Sequence, residues 1–290
     1  MNRRDLLRLG IAGSATLVLC KPSIAIADEH GSSQAASDDP PLARAVDAGR
    51  RYFVKRCDDQ LPTVLALESA IRSGDLDAAK HAYIEARPPY EEIETLAASF
   101  EQSDRDIDAR PYAFEGGEDD AEFRGFHKIE AMLFGYEELP PAVPFATHLV
   151  ESVRSLRREL DQPERFSAAG QFGGMITLAN EVSAKKVSSE EETWSDQTLL
   201  IFRHNWIGIY SQYIPFDELV KRSRPSASEA VTRAYDSAMA LLGGHFRPGS
   251  AAGTPYSTIG VADRRKMADA SNRLRDALSA AAASLRIEPA

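Results

Sequence analysis

Between residues 42 and 285 the chain never alternates apolar and polar positions as a half-buried strand does. Its apolar residues recur three and four places apart, and Ala, Leu, Glu and Arg dominate. This leaves an all-α fold as the expectation. The spacing predicts helices over 42–73, 75–86, 89–100, 118–134, 143–161, 167–186, 195–213, 226–242 and 261–285. Ser73-Gly74-Asp75 reads as the end of one helix and the cap of the next. Pro88-Pro89 predicts a break or kink, with Pro89 suited to a first helical turn. Gly243-Gly244 opens a loop rich in Gly, Pro and Ser that runs to Gly260. So many helices exceed one four-helix bundle, and two packed four-helix-type bundles are the natural architecture.

The N-terminal end reads differently. Arg3-Arg4-Asp5-Leu6-Leu7, an apolar run over 9–19 and Ala25-Ile26-Ala27 have the form of a twin-arginine signal, with cleavage expected after Ala27. The apolar run is too short for a permanent span, so no stable membrane anchor is expected. Residues 28–41 are polar and rich in Gly, Ser and Pro, as a disordered tether is. The helical domain then occupies 42–290. Without the leader only Cys57 remains, which excludes an intramolecular disulfide and a Cys-x-x-Cys metal site. The net charge is −10, and loss of Arg3, Arg4, Arg8 and Lys21 makes it more negative. Such a chain repels nucleic acid and anionic membranes and favours cations, although solubility alone explains much of the charge.

One stretch carries chemistry. In the predicted helix 118–134, Phe123, Phe126, Ile129, Leu133 and Phe134 form an apolar arc. His127 and Glu130 project into that arc as neighbours three residues apart, while Arg124 and Lys128 point away. A carboxylate among aromatics is costly unless it is paired or coordinates something, so metal ligation leads over a satisfied core histidine. Upstream, Glu91 and Glu94 share one side of a helix at the same spacing, with Glu92 facing solvent. Asp104-Arg105-Asp106-Ile107-Asp108-Ala109-Arg110 reads as an acidic loop. Each piece alone is ordinary, as helix-start acids or solvated surface. Together they offer four carboxylates and one imidazole to iron, manganese or zinc. His81, His148, His204 and His245 lack carboxylate neighbours in a ligand-like pattern and read as structural. Trp194, Trp206, Tyr210 and Tyr213 read as core aromatics.

The blocks RPPYEEIETLAASF, DIDAR and FRGFHKIEAMLFG are similar to those of the imelysin-like domain in periplasmic iron-uptake proteins of the EfeO/EfeM type. So are Gly173-Gly174-Met175, Glu181-Val182, Lys185-Lys186-Val187, Ser189-Glu190-Glu191, Phe202 and the block from Asn205 to Gly208, in the expected order. Lacking a cupredoxin domain, the chain resembles the short form. The resemblance implies a metal site of Glu91, Glu94, Asp108, His127 and Glu130, with Glu181 as a further carboxylate and Glu190 as its substitute. It implies iron as Fe2+ or Fe3+, with Zn2+ or Cu2+ accepted in vitro. A membrane iron permease and a haem peroxidase are the implied partners, and the periplasm is the implied location. Two departures stand out. Ser195-Asp196-Gln197-Thr198-Leu199 replaces the family's Ser-His-x-Asp-Leu, and Ile201 replaces an aspartate.

Competing functions fare less well. A metallopeptidase, the activity after which imelysins are labelled, is expected to carry His-Glu-x-x-His and an open coordination position. The chain has no such motif. A metal-bridged binder of acidic polysaccharide conflicts with the net charge. A ferritin-like oxidase would need Glu-x-x-His, which is also missing. A non-enzymatic iron-binding protein that delivers to the permease is the expectation.

Overall fold

The computed structural model describes residues 39–189 and 191–290. The expected signal segment 1–27, nearly all of the tether and Glu190 lie outside the described residues. Helix α1 (Pro40–Ser73) begins inside the stretch assigned to the tether, because Pro40 and Pro41 suit a first helical turn, where no N–H donor is required. Gly74 ends α1 in the left-handed conformation, and the Asp75 side chain caps α2 (Leu76–Ile93) by accepting from the Ala78 N–H at 2.9 Å.

Several boundaries differ from those the spacing predicts. Helix α2 continues through Pro88 and Pro89 without a break. Residues from Ala86 to Ile93 are almost all buried, and this burial on every side outweighs the loss of two N–H donors. A 3-10 segment, Glu94–Ser99, follows. The expected acidic loop is instead a helix, α3 (Glu101–Asp108). The predicted helix 118–134 starts only at Phe126, because Gly125 has φ +84°. Helix α4 (Phe126–Glu130) continues as a π turn over Ala131–Tyr136. Lys128 does not point away from the arc: its ammonium lies 5.1 Å from the Phe123 ring centroid and 5.6 Å from that of Phe145. Helix α5 (Val143–Leu160) follows, then α6 (Ala168–Glu181) with a second π turn over Val182–Lys186. Helix α7 (Thr198–Ser223) continues ten residues past the predicted end at Tyr213, through Pro215. Helices α8 (Pro225–Leu242) and α9 (Val261–Ser284) complete the chain.

These helices enclose two apolar cores, in agreement with the two-bundle expectation. One is built from α1, α2 and α5 with the short α3 and α4, and includes Phe53, Leu67, Tyr83, Ile107, Ile129 and Leu149. The other is the four-helix set α6–α9, centred on Phe172, Phe202, Trp206, Val231 and Leu274. The long α1 serves both, sending Phe53, Val64 and Ile71 into the first and Leu42 and Ala45 into the second. Among the described residues there is no strand, only an isolated bridge between Phe246 and Gly253. No described helix is long and apolar enough to cross a membrane.

The bundles approach closely at the C-terminal half of α2. A Cβ on Gly208 of α7 would stand 2.3 Å from the Glu92 carbonyl oxygen. That contact seats α7 against α2 and brings polar groups from both bundles to one buried place.

Candidate metal centre

His127 and Glu130 sit in the first turn of α4, both buried, on the face turned toward α2 and α3. The left-handed Gly125 sets this orientation. A Cβ there would meet the Ile107 carbonyl oxygen at 2.3 Å, so only glycine lets α4 start against the end of α3. His127 Nδ1 and Glu130 Oε2 are 2.9 Å apart. Glu130 Oε1 accepts the backbone N–H groups of Trp194 and Ser195, each at 2.9 Å. Both carboxylate oxygens are thereby engaged. His127 Nε2 is buried, makes no hydrogen bond, and lies 3.5 Å from Asp108 Oδ1.

Beside this pair lies Arg87, 1% exposed. Its guanidinium meets Glu91 Oε1 at 2.5 Å, Asp108 Oδ1 at 2.6 Å and Glu192 Oε1 at 2.9 Å. The flat group stacks 4.6 Å from the Phe126 ring centroid. Glu192 Oε2 accepts from Tyr83 and Ser195. One donor atom each from His127, Glu130 and Glu192 lies within 4.8 Å of the other two.

A further layer surrounds this cluster. Lys186, delivered by the second π turn, donates to Glu94 at 2.7 and 2.9 Å and lies 3.2 Å from Glu191. Arg110 also pairs with Glu191. Asn205 of α7 donates to Glu91 Oε2 at 3.1 Å and Glu94 Oε2 at 2.8 Å, tying the two glutamates together.

The structure thus brings Glu91, Asp108, His127 and Glu130 into one buried cluster and places Glu94 at its edge. Glu181 does not join them. It ends α6 half-exposed, 3.4 Å from Lys185. Four other residues were missed by reading spacing alone. Arg87 stands just before the double proline, where a basic residue reads as helix surface. Lys186 and Asn205 come from the other bundle, and Glu192 from the connection before α7. Glu92 was expected in solvent but is buried, pairing with Arg56 Nε at 2.8 Å and with His204 Nδ1 at 2.8 Å. His204, read as lacking a carboxylate neighbour, has one across the helix interface.

The electrostatics follow from burial. Desolvation drives Glu91 well above the usual carboxylate range despite Arg87, and raises Glu192 to about 7 with help from the nearby Glu130 charge. It also raises Asp104 to about 7. Burial opposes charge on His127, but Asp108 outweighs it, and the imidazole rises to about 9. Asp108 is likewise opposed by burial, yet Arg87 and His127 hold it well below its ordinary value.

Oxygen donors with one imidazole nitrogen suit hard or borderline cations. His127, Glu130 and Glu192 are all buried, and one donor atom from each lies within 4.8 Å of the other two. The residues present therefore fit a metal ion.

The chain is also similar to known proteins. It shows 32% identity over 164 residues to the iron uptake system component EfeO of Escherichia coli (strain K12) and, equally, to that of Shigella flexneri. Each alignment covers 57% of this chain and 44% of the relative, so the chain spans less than half the length of these relatives. A crystal structure from Parabacteroides distasonis, described as an iron-regulated protein A precursor, superposes with a TM-score of 0.64 over 86% of this chain and 97% of that one. At 15% identity the likeness is one of fold. The family model described as Peptidase_M75: Imelysin matches residues 54–284. With that match spanning both bundles and the buried centre between them, the chain belongs to the imelysin family.

Proposed function

We propose that this protein captures iron at the buried centre and passes it to a membrane iron permease, without itself catalysing a reaction. The carrying observation is the buried group of His127, Glu130 and Glu192, one donor atom from each within 4.8 Å of the others, with Asp108 beside His127 Nε2. Similarity to iron uptake system components supports the choice of iron as cargo. The reading places the protein in the periplasm, reached by the twin-arginine route, with a haem peroxidase of the same system as a second partner.

In this reading His127 offers Nε2 to the ion. Glu130 receives the Nδ1 hydrogen and orients the ring, and the ion displaces the Nε2 proton that Asp108 otherwise faces. Glu192 and Glu130 each bring an oxygen into the 4.8 Å group with His127, Asp108 lies 3.5 Å from Nε2, and Glu91 and Glu94 complete the acidic surround. Zn2+ and Cu2+ compete for such a donor set in vitro. A peptidase reading lacks support from any residue placed as general base next to an open position.

The test is calorimetric titration of metal-free protein with Fe2+ under anaerobic conditions, Fe3+ as a soluble chelate, and Zn2+. His127→Ala is expected to abolish binding. Glu130→Ala is expected to weaken it about 10–100-fold, the usual effect of losing an outer-shell partner. Binding that survives His127→Ala unchanged would show the site to be elsewhere.

A further inference from the structure

Metal centres built from carboxylates must hold those carboxylates in place when no metal is bound, since buried like charges repel one another. Here the chain supplies the opposing charge itself. Glu91 belongs to α2, Asp108 ends α3, and Glu192 lies in the connection before α7. All three aim one oxygen at the same guanidinium, that of Arg87, within 2.5–2.9 Å. The oxygen of Asp108 that meets Arg87 is also the one 3.5 Å from His127 Nε2. The cation that organises the cluster therefore holds Glu192, which groups with His127 and Glu130, and Asp108, which faces His127 Nε2.

We propose that Arg87 is the resident counter-cation of the centre, and that a captured metal ion exchanges with its guanidinium for Asp108, Glu91 and Glu192. This rests on the metal-binding reading above. A guanidinium spreads one charge over a plane and holds oxygens at hydrogen-bond distance. It cannot draw them to the roughly 2.0–2.2 Å that a small cation such as zinc demands. Once a metal takes those oxygens, two cations share one low-dielectric space and repel. The guanidinium then keeps its stacking contact with Phe126 and gives up carboxylate contacts. Arg87 thus preserves the ligand geometry of the empty centre and lowers its affinity for metal. Both properties suit a protein that must release what it binds. Arg87 is a positioning residue that competes with the cargo.

The experiment uses the full chain with Arg87→Met, Arg87→Lys and His127→Ala, probed with Zn2+ alone and with Fe3+ as its nitrilotriacetate chelate. Affinity is measured by chelator competition, and thermal unfolding is followed with and without metal. Arg87→Met is expected to melt lower than wild type when metal-free, to bind metal at least tenfold tighter, and to gain more in melting temperature on binding. Arg87→Lys keeps the charge but loses the fork, and is expected to fold and to bind with a smaller gain in affinity. Wild-type binding that disappears in His127→Ala while both Arg87 variants bind with unchanged or weaker affinity overturns the exchange and leaves the metal reading standing. If neither wild type nor any Arg87 variant binds metal, both are overturned.

Discussion

At the residue scale, His127 is the group whose surroundings speak most clearly. Its proton affinity is raised because Asp108 and Glu130 face it in a place without water. The direction has a consequence for stability. A group whose pKa rises on folding stabilises the native state fully below its unfolded value, and that stabilisation is lost as pH rises through the folded value. For His127 the window runs from about 6.5 to about 9. Glu192 and Asp104 are raised by burial to about 7, so the metal-free protein also loses stability between their unfolded values and neutrality. In chelator, unfolding free energy measured by urea titration is therefore expected to fall from pH 5 to pH 9. The His127 part is on the order of 3 kcal/mol. His127→Gln is expected to fall less steeply than wild type between pH 6.5 and 9, the remainder coming from the raised carboxyl groups. A wild-type curve that rises over that interval, or a parallel mutant curve, would refute the assignment of the titrating group.

At the element scale, the centre depends on how closely α7 crosses α2. Gly208 permits the approach, and Asn205, one turn earlier on α7, then reaches Glu91 and Glu94. Adding one methyl to this crossing pushes the helices apart. Gly208→Ala is expected to cost about 2–3 kcal/mol of stability, as overpacking does. It should also weaken metal binding by displacing Asn205 from the two glutamates. Denaturant unfolding and metal titration on the same variant check both, and a fully stable variant would show the crossing to be adaptable. Two π turns, at Ala131–Tyr136 and Val182–Lys186, adjoin the centre, and π turns are frequent at functional sites. The second delivers Lys186, which an unbroken 3.6-residue repeat would have turned elsewhere.

At the scale of the whole molecule, the centre joins two bundles. Glu91, Arg87, Asp108, His127 and Glu130 come from the first, whereas Lys186 and Asn205 come from the second and Glu192 from the connection that leads into it. A ligand held by both sides links their unfolding. Metal at one hundred times its dissociation constant is expected to stabilise the whole chain by about 2.7 kcal/mol and to leave a single transition. Calorimetric scans with and without Zn2+ test this. Two separate transitions in saturating metal would show that the bundles melt independently and that the centre does not bridge them.

The sequence by itself determined the helical class and the two-bundle scale, and it singled out His127 and Glu130, which the structure buries together. Helical periodicity and the acids near His127-x-x-Glu130 are local patterns, and local spacing decides which side chains share a face. It also pointed to Glu91 and Asp108, because their segments lie near one another along the chain. Glu181 stands apart because the end of α6 turns it toward Lys185 and solvent. Glu92, His204, Arg87, Glu192, Lys186 and Asn205 were beyond reach for a different reason. Whether a charged side chain on a helix is solvated or buried depends on which helix packs over it, and no spacing within one segment encodes that. The docking of the second bundle and its connection onto α2 made that decision, with α7 bringing His204 and Asn205 and the connection bringing Glu192.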